Sequence, residues 1–338
     1  MSNTHIIGID LGKNTFHIAA HDQNGHELFR KKLYRNKLLE FLSNIEPTII
    51  AMESCGGAHW LARKCESYGH TAKLIPPQYV KPYVKTNKND FIDACAIAEA
   101  ASRPTMRFTS PKTESAQIIS TVRKLRSGYI RERTSCMNRI GSILLEFGIS
   151  LPKGHSAMKN LFQWLAEQGH YLPPQLLFEL SELHEHYELL NSKVESQQRK
   201  IERILSESKQ MQQLQTIPGV GPVIASACIS SIGNPSDFKN GRNFAAWVGL
   251  VPVQCSTGGK TTLLGISKRG NRELRTLFIH AARSILWRDK SVDKYFGSWL
   301  AELKQRKPFN VAVVALANKI ARVAWSVMMT PKPFSPQI

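Results

Sequence analysis

Negative charge is scarce in this sequence. Its 26 Asp and Glu stand against 45 Lys and Arg, which leaves a formal charge of +19 and a pI near 9.8. An excess of that size points to a polyanionic partner, nucleic acid first of all, because net charge bears on partners and not on fold. Cysteine is sparse and scattered. The six residues, at positions 55, 65, 95, 136, 228 and 255, form no CxxC pair, so their spacing suggests neither a zinc site nor a disulfide framework, and a reducing compartment is expected. No signal peptide opens the chain, and no uninterrupted apolar run approaches the roughly 18 residues of a membrane span. These absences predict a soluble cytoplasmic protein with no membrane partner. At 338 residues the chain is long enough for two or three domains, each with its own core.

What is present begins at the front, in HIIGIDLGKNTFHIAAHD. Ile6, Ile7 and Ile9 form an apolar strand that closes on Asp10; a Gly-containing turn follows, and Phe16, Ile18 and Ala20 alternate along a returning strand. Asn24-Gly25 signals a hairpin into HELFRKKLY. A short helix from about Asn36 to Asn44 leads to TIIAMES, a strand ending on Glu53 and broken by Gly56 and Gly57. An amphipathic helix follows with Trp60, Leu61 and Cys65 on one face. HTAKLIPP is the next strand, and a basic segment (Lys81, Lys85, Lys88) runs into a helix beginning near Asp90. The order β-β-β-α-β-α-β-α predicts an α/β domain of RNase H-like layout over residues 1–110, a mixed sheet with helices on both faces.

Residues 111–212 turn helical. A basic amphipathic pattern runs from Thr113 to Gly148. From Leu176 to Leu205, Leu180, Leu183, Tyr187, Leu190, Val194, Ile201 and Ile204 keep 3-4 spacing, with Gln197 the one polar member. That stripe fits either a coiled coil between two chains or a helix packed within one, and the charged flanks favour pairing. Residues 213–330 form a mainly helical C-terminal domain. In IPGVGP, Gly219 and Gly221 permit a tight turn and Pro222 suits a first helical position, the makings of a helix-hairpin-helix that grips one phosphate; a plain connector between helices is the bland alternative. From Lys239 to Arg275 seven Lys or Arg face one acid, Glu273. A second glycine-rich turn, QCSTGGKTTLLGISKRGN, lies inside that stretch, and a long apolar helix with Val311, Leu316 and Ile320 closes the domain. The tail, 331–338, is expected to be disordered.

Asp10 and Glu53 end strands that neighbour one another in this layout. Asp90 and Asp93 lie three apart on a helix and share a face. Four converging carboxylates raise each other's pKa unless divalent cations neutralise them. Mg²⁺ or Mn²⁺ takes oxygen ligands, and a pair of such ions clamps the attacking and leaving oxygens of a phosphodiester. Singly, Asp10 is a turn residue, Glu53 a solvating strand end and Asp90 a helix N-cap. As a set in a cationic chain they read as a metal-dependent nuclease site.

GIDLGKNTFHIA, AMESCGGAHW, NKNDFIDACAIAEA, IPGVGPVIA, FAAWVGLVPVQCSTGGKT and GISKRGNRELR together resemble the DEDD transposases of bacterial insertion sequences, relatives of the pilin-gene invertases. The likeness spans nearly the whole chain and is weakest between about Lys153 and Gln210. It implies a RuvC-like N-terminal domain holding the tetrad Asp10, Glu53, Asp90 and Asp93, a helical and coiled-coil connector, and a C-terminal domain with a serine nucleophile. It also implies a structured guide RNA encoded by the element, double-stranded donor and target DNA, and a homo-oligomer, dimer or tetramer. In that family the nucleophile lies eleven residues before the serine of a Ser-Lys-x-Gly motif, here Ser267-Lys268-Arg269-Gly270, so the resemblance implies Ser256, with Thr257 its neighbour. A serine needs a base, a cation or a metal to activate it, and Lys260, Lys268 and Arg269 lie close in sequence. With Gly219, Gly221, Arg272 and Arg275 these cations form the expected nucleic-acid-binding set. The rival readings are a DNA invertase of the same family, a RuvC-like junction nuclease, and an actin-like ATPase, whose opening GIDLG motif this chain shares but which has no use for DxxD on a helix.

Overall fold

The computed structural model describes residues 4–84, 89–169, 171–288, 293–330 and 332–336; Lys85, Lys88 and Pro331 lie outside them. The chain divides into two compact units, one of residues 1–117 with 230–244, the other of 118–229 with 245–338.

In the first unit β1 (Ile6–Leu11), β2 (Thr15–His21) and β3 (Glu27–Tyr34) form an antiparallel meander. They are followed by α1 (Arg35–Ser43), β4 (Ile49–Glu53), α2 (Ala58–Ser67), β5 (Thr71–Ile75), α3 (Pro77–Val80) and α4 (Asp90–Ala101). The sheet order is β3-β2-β1-β4-β5, with β1 and β5 both parallel to β4. The mixed α/β layout expected of the first 110 residues is what forms. Side-chain alternation divides the strands between two layers. Ile7, Ile9, Ile50 and Met52 pack with Leu38, Leu42, Leu61 and Cys65 beneath α1 and α2. Ile6 and Ala51 pack on the other face with Ala96, Ile97 and Ala98 of α4. A Cβ on Gly8 would stand 2.2 Å from the Ala94 carbonyl oxygen and 2.7 Å from the Ala98 nitrogen. Glycine at this one position therefore lets α4 lie directly on β1, which fixes where its first turn falls.

Residues 230–244 join this unit through a specific contact. The Asp237 carboxylate accepts hydrogen bonds from the Ser110 backbone N–H at 3.0 Å and its hydroxyl at 2.7 Å.

The second unit is built from most of α5 (Glu114–Glu146), α6 (His155–Lys159), α7 (Leu161–Glu167), α8 (Pro174–Ser206), α9 (Lys209–Gln215), most of α10 (Pro222–Ser231) and the second half of α11 (Gly241–Val248). A hairpin of β6 (Pro252–Thr257) and β7 (Lys260–Ile266) follows, then α12 (Arg272–Arg288), α13 (Asp293–Phe296), α14 (Ser298–Arg306) and α15 (Phe309–Met329). The heptad stripe of α8 is covered from within. Leu180, Tyr187 and Leu190 are buried against Cys136, Ile140 and Leu144 of α5 and Met158 and Leu161 of α6 and α7. The Cys136 thiol donates to the Leu183 carbonyl at 3.2 Å and Arg133 donates to Asn191 at 2.5 Å, so the two helices run antiparallel. Of the two expectations for this stripe, the fold supports packing within one chain for its Leu180 to Leu190 part, whose apolar seam has a partner in α5.

The expectation of no membrane span meets one long apolar helix, and the expectation of a disordered tail changes. By length and composition α15 qualifies as a possible membrane span, with a mean hydropathy of 1.5 over its best window, half of which is buried. Ala312, Val313, Leu316, Ala317, Ile320 and Ala324 are core residues, so its apolarity serves packing. The tail is pinned at Phe334, whose N–H donates to the Thr216 hydroxyl at 2.8 Å and whose ring lies 6.5 Å from that of Phe296.

Candidate active site

Asp10 is the penultimate residue of β1 and faces the α4 layer, as do Ile6 and Gly8. Directly across the antiparallel ladder its partner is His17 of β2. On its other side the parallel register pairs Ile9 with Met52, which sets Glu53 on the neighbouring strand with its side chain on Asp10's face. Burial, then the negative charges of Glu53 and Asp10, push the Cys55 thiol above its ordinary value, so both acids lie near that thiol.

Helix α4 brings the remaining pair. Asn89, not Asp90, is the N-cap; its side chain accepts from the Phe91 N–H at 2.9 Å. Relieved of capping, the Asp90 carboxylate lies 3.4 Å from His17 Nδ1, with the imidazole side chain 10% exposed. The His17 ring also meets Phe91 edge-on at 4.7 Å between centroids. One ligand atom each from Asp10, His17 and Asp90 lie within 4.8 Å of one another. Asp93, one turn along the same helix, is partly buried and stands outside that tight group, as does Glu53. His17 escaped the reading of the sequence. A histidine alternating with apolar residues on a strand looks like any sheet position, and only the cross-strand register to Asp10 singles it out.

The second unit carries the other predicted residues. Ser256 lies on β6, every position of which is exposed, opposite Thr261 on β7, while Thr257 pairs with Lys260. Strand alternation puts the Ser256 and Thr257 side chains on opposite faces of the hairpin, and Lys260 with Thr257. The Ser256 hydroxyl accepts from the Gln254 side chain at 2.9 Å and shares a 3.3 Å hydrogen bond with Thr261. Gly258 and Gly259, at φ 56° and 77°, make the left-handed two-residue turn.

Beyond β7 the 267–271 loop is tightly held. A Cβ on Gly270 would lie 1.8 Å from the Trp247 carbonyl oxygen, and Lys268 takes a left-handed φ of 53°. Lys260, Lys268, Arg269 and Arg272 are exposed. Arg275 is buried and donates to the Val248 and Arg269 carbonyls at 3.0 and 3.1 Å. Its expected role as a nucleic-acid contact is corrected by that geometry, since its donors hold the loop. Burial and then the Arg272 charge lower its pKa from the usual arginine value. Glu273, the acid of the basic stretch, pairs with the buried Arg123 of α5 at 2.5 Å. Gly219, at φ 79°, packs against Ile285 and Ala281 of α12, whereas Gly221 has open space around it. Residues 215–221 and Tyr295 line a recess of about 390 Å³.

Residues 7–149 match the model of the DEDD transposases of the IS110 group, described as Transposase, and residues 211–297 match Transposase IS116/IS110/IS902 family. The chain is 44% identical over 335 residues to the transposase for insertion sequence element IS1328 of Yersinia enterocolitica, covering 99% of this chain and 100% of the relative. It is 40% identical to a probable family 20 transposase of Pseudomonas aeruginosa over 332 residues, 98% of each chain. It is 37% identical to the transposase for insertion sequence element IS1111A of Coxiella burnetii over 331 residues, 97% of this chain and 90% of the relative.

This chain belongs to the IS110 family of DEDD transposases.

A DEDD transposase acts on DNA, as the charge of this chain anticipated, and its family uses a divalent metal. The residues present fit such an ion. Asp10 and Asp90 offer oxygen donors side by side on a partly open surface, Glu53 shares the face of Asp10, and Asp93 lies one helical turn from Asp90. His17 faces the pair from the buried side, its Nδ1 3.4 Å from the Asp90 carboxylate.

Proposed function

We propose that this transposase cuts and rejoins DNA strands through two sets of residues, one from each unit. Asp10, Glu53, Asp90 and Asp93 hold Mg²⁺ or Mn²⁺, and Ser256 is the nucleophile. The convergence of Asp10, His17 and Asp90 at the junction of β1, β2 and α4 is the observation that carries this reading. A divalent cation held by these four acids would supply stabilisation of the charge that develops on the attacked phosphate. Ser256 Oγ forms an ester with the phosphorus as the bond to the departing sugar oxygen breaks; the serine gives up its proton and the departing oxygen gains one. One phosphoester is exchanged for another, so a hydroxyl of a second strand can reverse the step without an external energy source.

The exposed Lys260, Lys268, Arg269 and Arg272, with the backbone N–H groups of the Gly219–Gly221 turn, bind the phosphates of donor and target DNA and of a structured guide RNA encoded by the element. The net charge of +19 supports that reading. The active species is a homo-oligomer, dimer or tetramer, because each exchanged strand needs its own nucleophile.

The test is strand cleavage by Asp93→Asn, with circular dichroism as the control for folding. We expect cleavage to fall by about 10⁴-fold or more, as when members of a catalytic set are removed, with the spectrum unchanged. Excess EDTA should abolish wild-type cleavage, and full activity in EDTA would refute the metal site.

A further inference from the structure

At the far end of β2 the same face of the sheet carries a second cluster. His21 of β2 pairs with Glu27 of β3, and Cys95 of α4 reaches down to them; one ligand atom each from His21, Glu27 and Cys95 lie within 4.8 Å of one another. His21 is 8% exposed, and its Nε2 is buried without a hydrogen-bond partner. A buried ring nitrogen left unmatched is costly unless something occupies it. Burial holds the imidazole pKa below its ordinary value and so keeps the ring neutral, the form that ligates metals. The Glu27 carboxylate is oriented by Arg30, whose Nε and guanidinium amine sit 2.7 Å from Oε1 and Oε2, and it accepts from the Cys95 thiol at 3.2 Å. Glu99, one turn beyond Cys95, adds negative charge near His21.

We propose that His21, Glu27 and Cys95 form a site for a borderline-soft divalent metal, Zn²⁺ by donor chemistry, separate from the carboxylate site at Asp10 and Asp90. One thiolate, one imidazole and one carboxylate match the ligands zinc prefers, and water completes a tetrahedral set. On binding, the Cys95 thiol gives its proton to solvent and its hydrogen bond to Glu27 breaks. Glu27 Oε2 turns to the metal while Oε1 stays with Arg30, which then acts as the outer-shell partner that orients the carboxylate. No sequence spacing announces this site, because its donors come from three elements. Its consequence is mechanical: the metal ties α4 to β2 and β3, and α4 is the helix whose first turn carries Asp90 and Asp93.

Cobalt titration of the full chain in excess Mg²⁺ tests the proposal, since Co²⁺ bound to a thiolate shows a charge-transfer band that carboxylate sites lack. The background is Cys55→Ser, which removes the thiol beside Asp10 and Glu53. We expect about one equivalent of Co²⁺ to produce the band, the band to persist in Asp10→Asn, and Cys95→Ser to lose it. His21→Gln should weaken binding by more than the roughly 10- to 100-fold that outer-shell partners carry. Zn²⁺ should raise the thermal midpoint of the background protein and leave that of Cys95→Ser unmoved, the two having equal midpoints without metal. A band that survives Cys95→Ser, or no band in the background protein, overturns the site.

Discussion

The acids and the serine are held in opposite ways. Asp10, Glu53, Asp90 and Asp93 sit on two central strands and a helix packed so closely that Gly8 leaves no room for a methyl group; Ser256 stands on a two-stranded hairpin exposed at every position of β6. A metal site needs its ligands fixed to within fractions of an ångström, and rigid elements supply that before any substrate arrives. The hydroxyl proposed as the nucleophile stands on an exposed hairpin and, on that proposal, is oriented mainly by the DNA that binds to it. The difference locates the preorganisation in the first unit and the adaptability in the second.

The sharpest way to break that contrast is to spoil the packing on which the first site rests. Gly8→Ala should push α4 off β1, cost about 3 kcal/mol as an overpacked core substitution, and eliminate cleavage. Gly265→Ala in β7, where an added Cβ meets nothing, should leave thermal stability within about 0.5 kcal/mol of wild type. Calorimetry of the two proteins checks both. A charge in the α8 seam should also be severe. Leu183→Asp with Leu190→Asp buries carboxylates beside Ile140 and Leu144 and should unfold the second unit by roughly 4 kcal/mol or more. Light scattering that instead finds a folded protein of smaller assembly size would restore pairing between chains along this stripe.

A milder comparison separates the cations. Affinity for DNA should fall by orders of magnitude between roughly 50 and 200 mM salt if six or more phosphates are contacted. Lys268→Glu with Arg269→Glu should flatten that salt slope while the melting temperature holds. Arg275→Ala should do the reverse, costing about 1–3 kcal/mol through the two carbonyls left unpaired, with the slope unchanged.

Much of the first unit was legible because its strands alternate with period two and its turns carry Asn24-Gly25 and Gly56-Gly57. The acids were legible because Asp10 and Glu53 stand at or next to strand ends and Asp90 and Asp93 lie in the first turn of a helix. His17 was not, since its meaning depends on register with Asp10, a relation between strands that no local pattern encodes. The α8 heptads were seen, but a 3-4 stripe does not say whether its partner lies in the same chain. Thr257-Gly258-Gly259-Lys260 carried a hairpin signal that was read only as a turn, because its flanks are polar and uncovered. Arg275 looked like its neighbours in charge; burial sets it apart, and charge patterns do not report burial.

The identity of the attacking hydroxyl tests the division of labour most directly. Labelled DNA incubated with the protein and Mg²⁺ and run on a denaturing gel should show a covalent protein–DNA band for wild type and for Thr257→Ala, whose side chain lies on the opposite face of the hairpin. Ser256→Ala should bind DNA with wild-type affinity and form no band. A band that persists in Ser256→Ala, or vanishes only in Thr257→Ala, would contradict the assignment of the nucleophile, and no band in wild type under recombining conditions would return the reaction to hydrolysis at the acids alone.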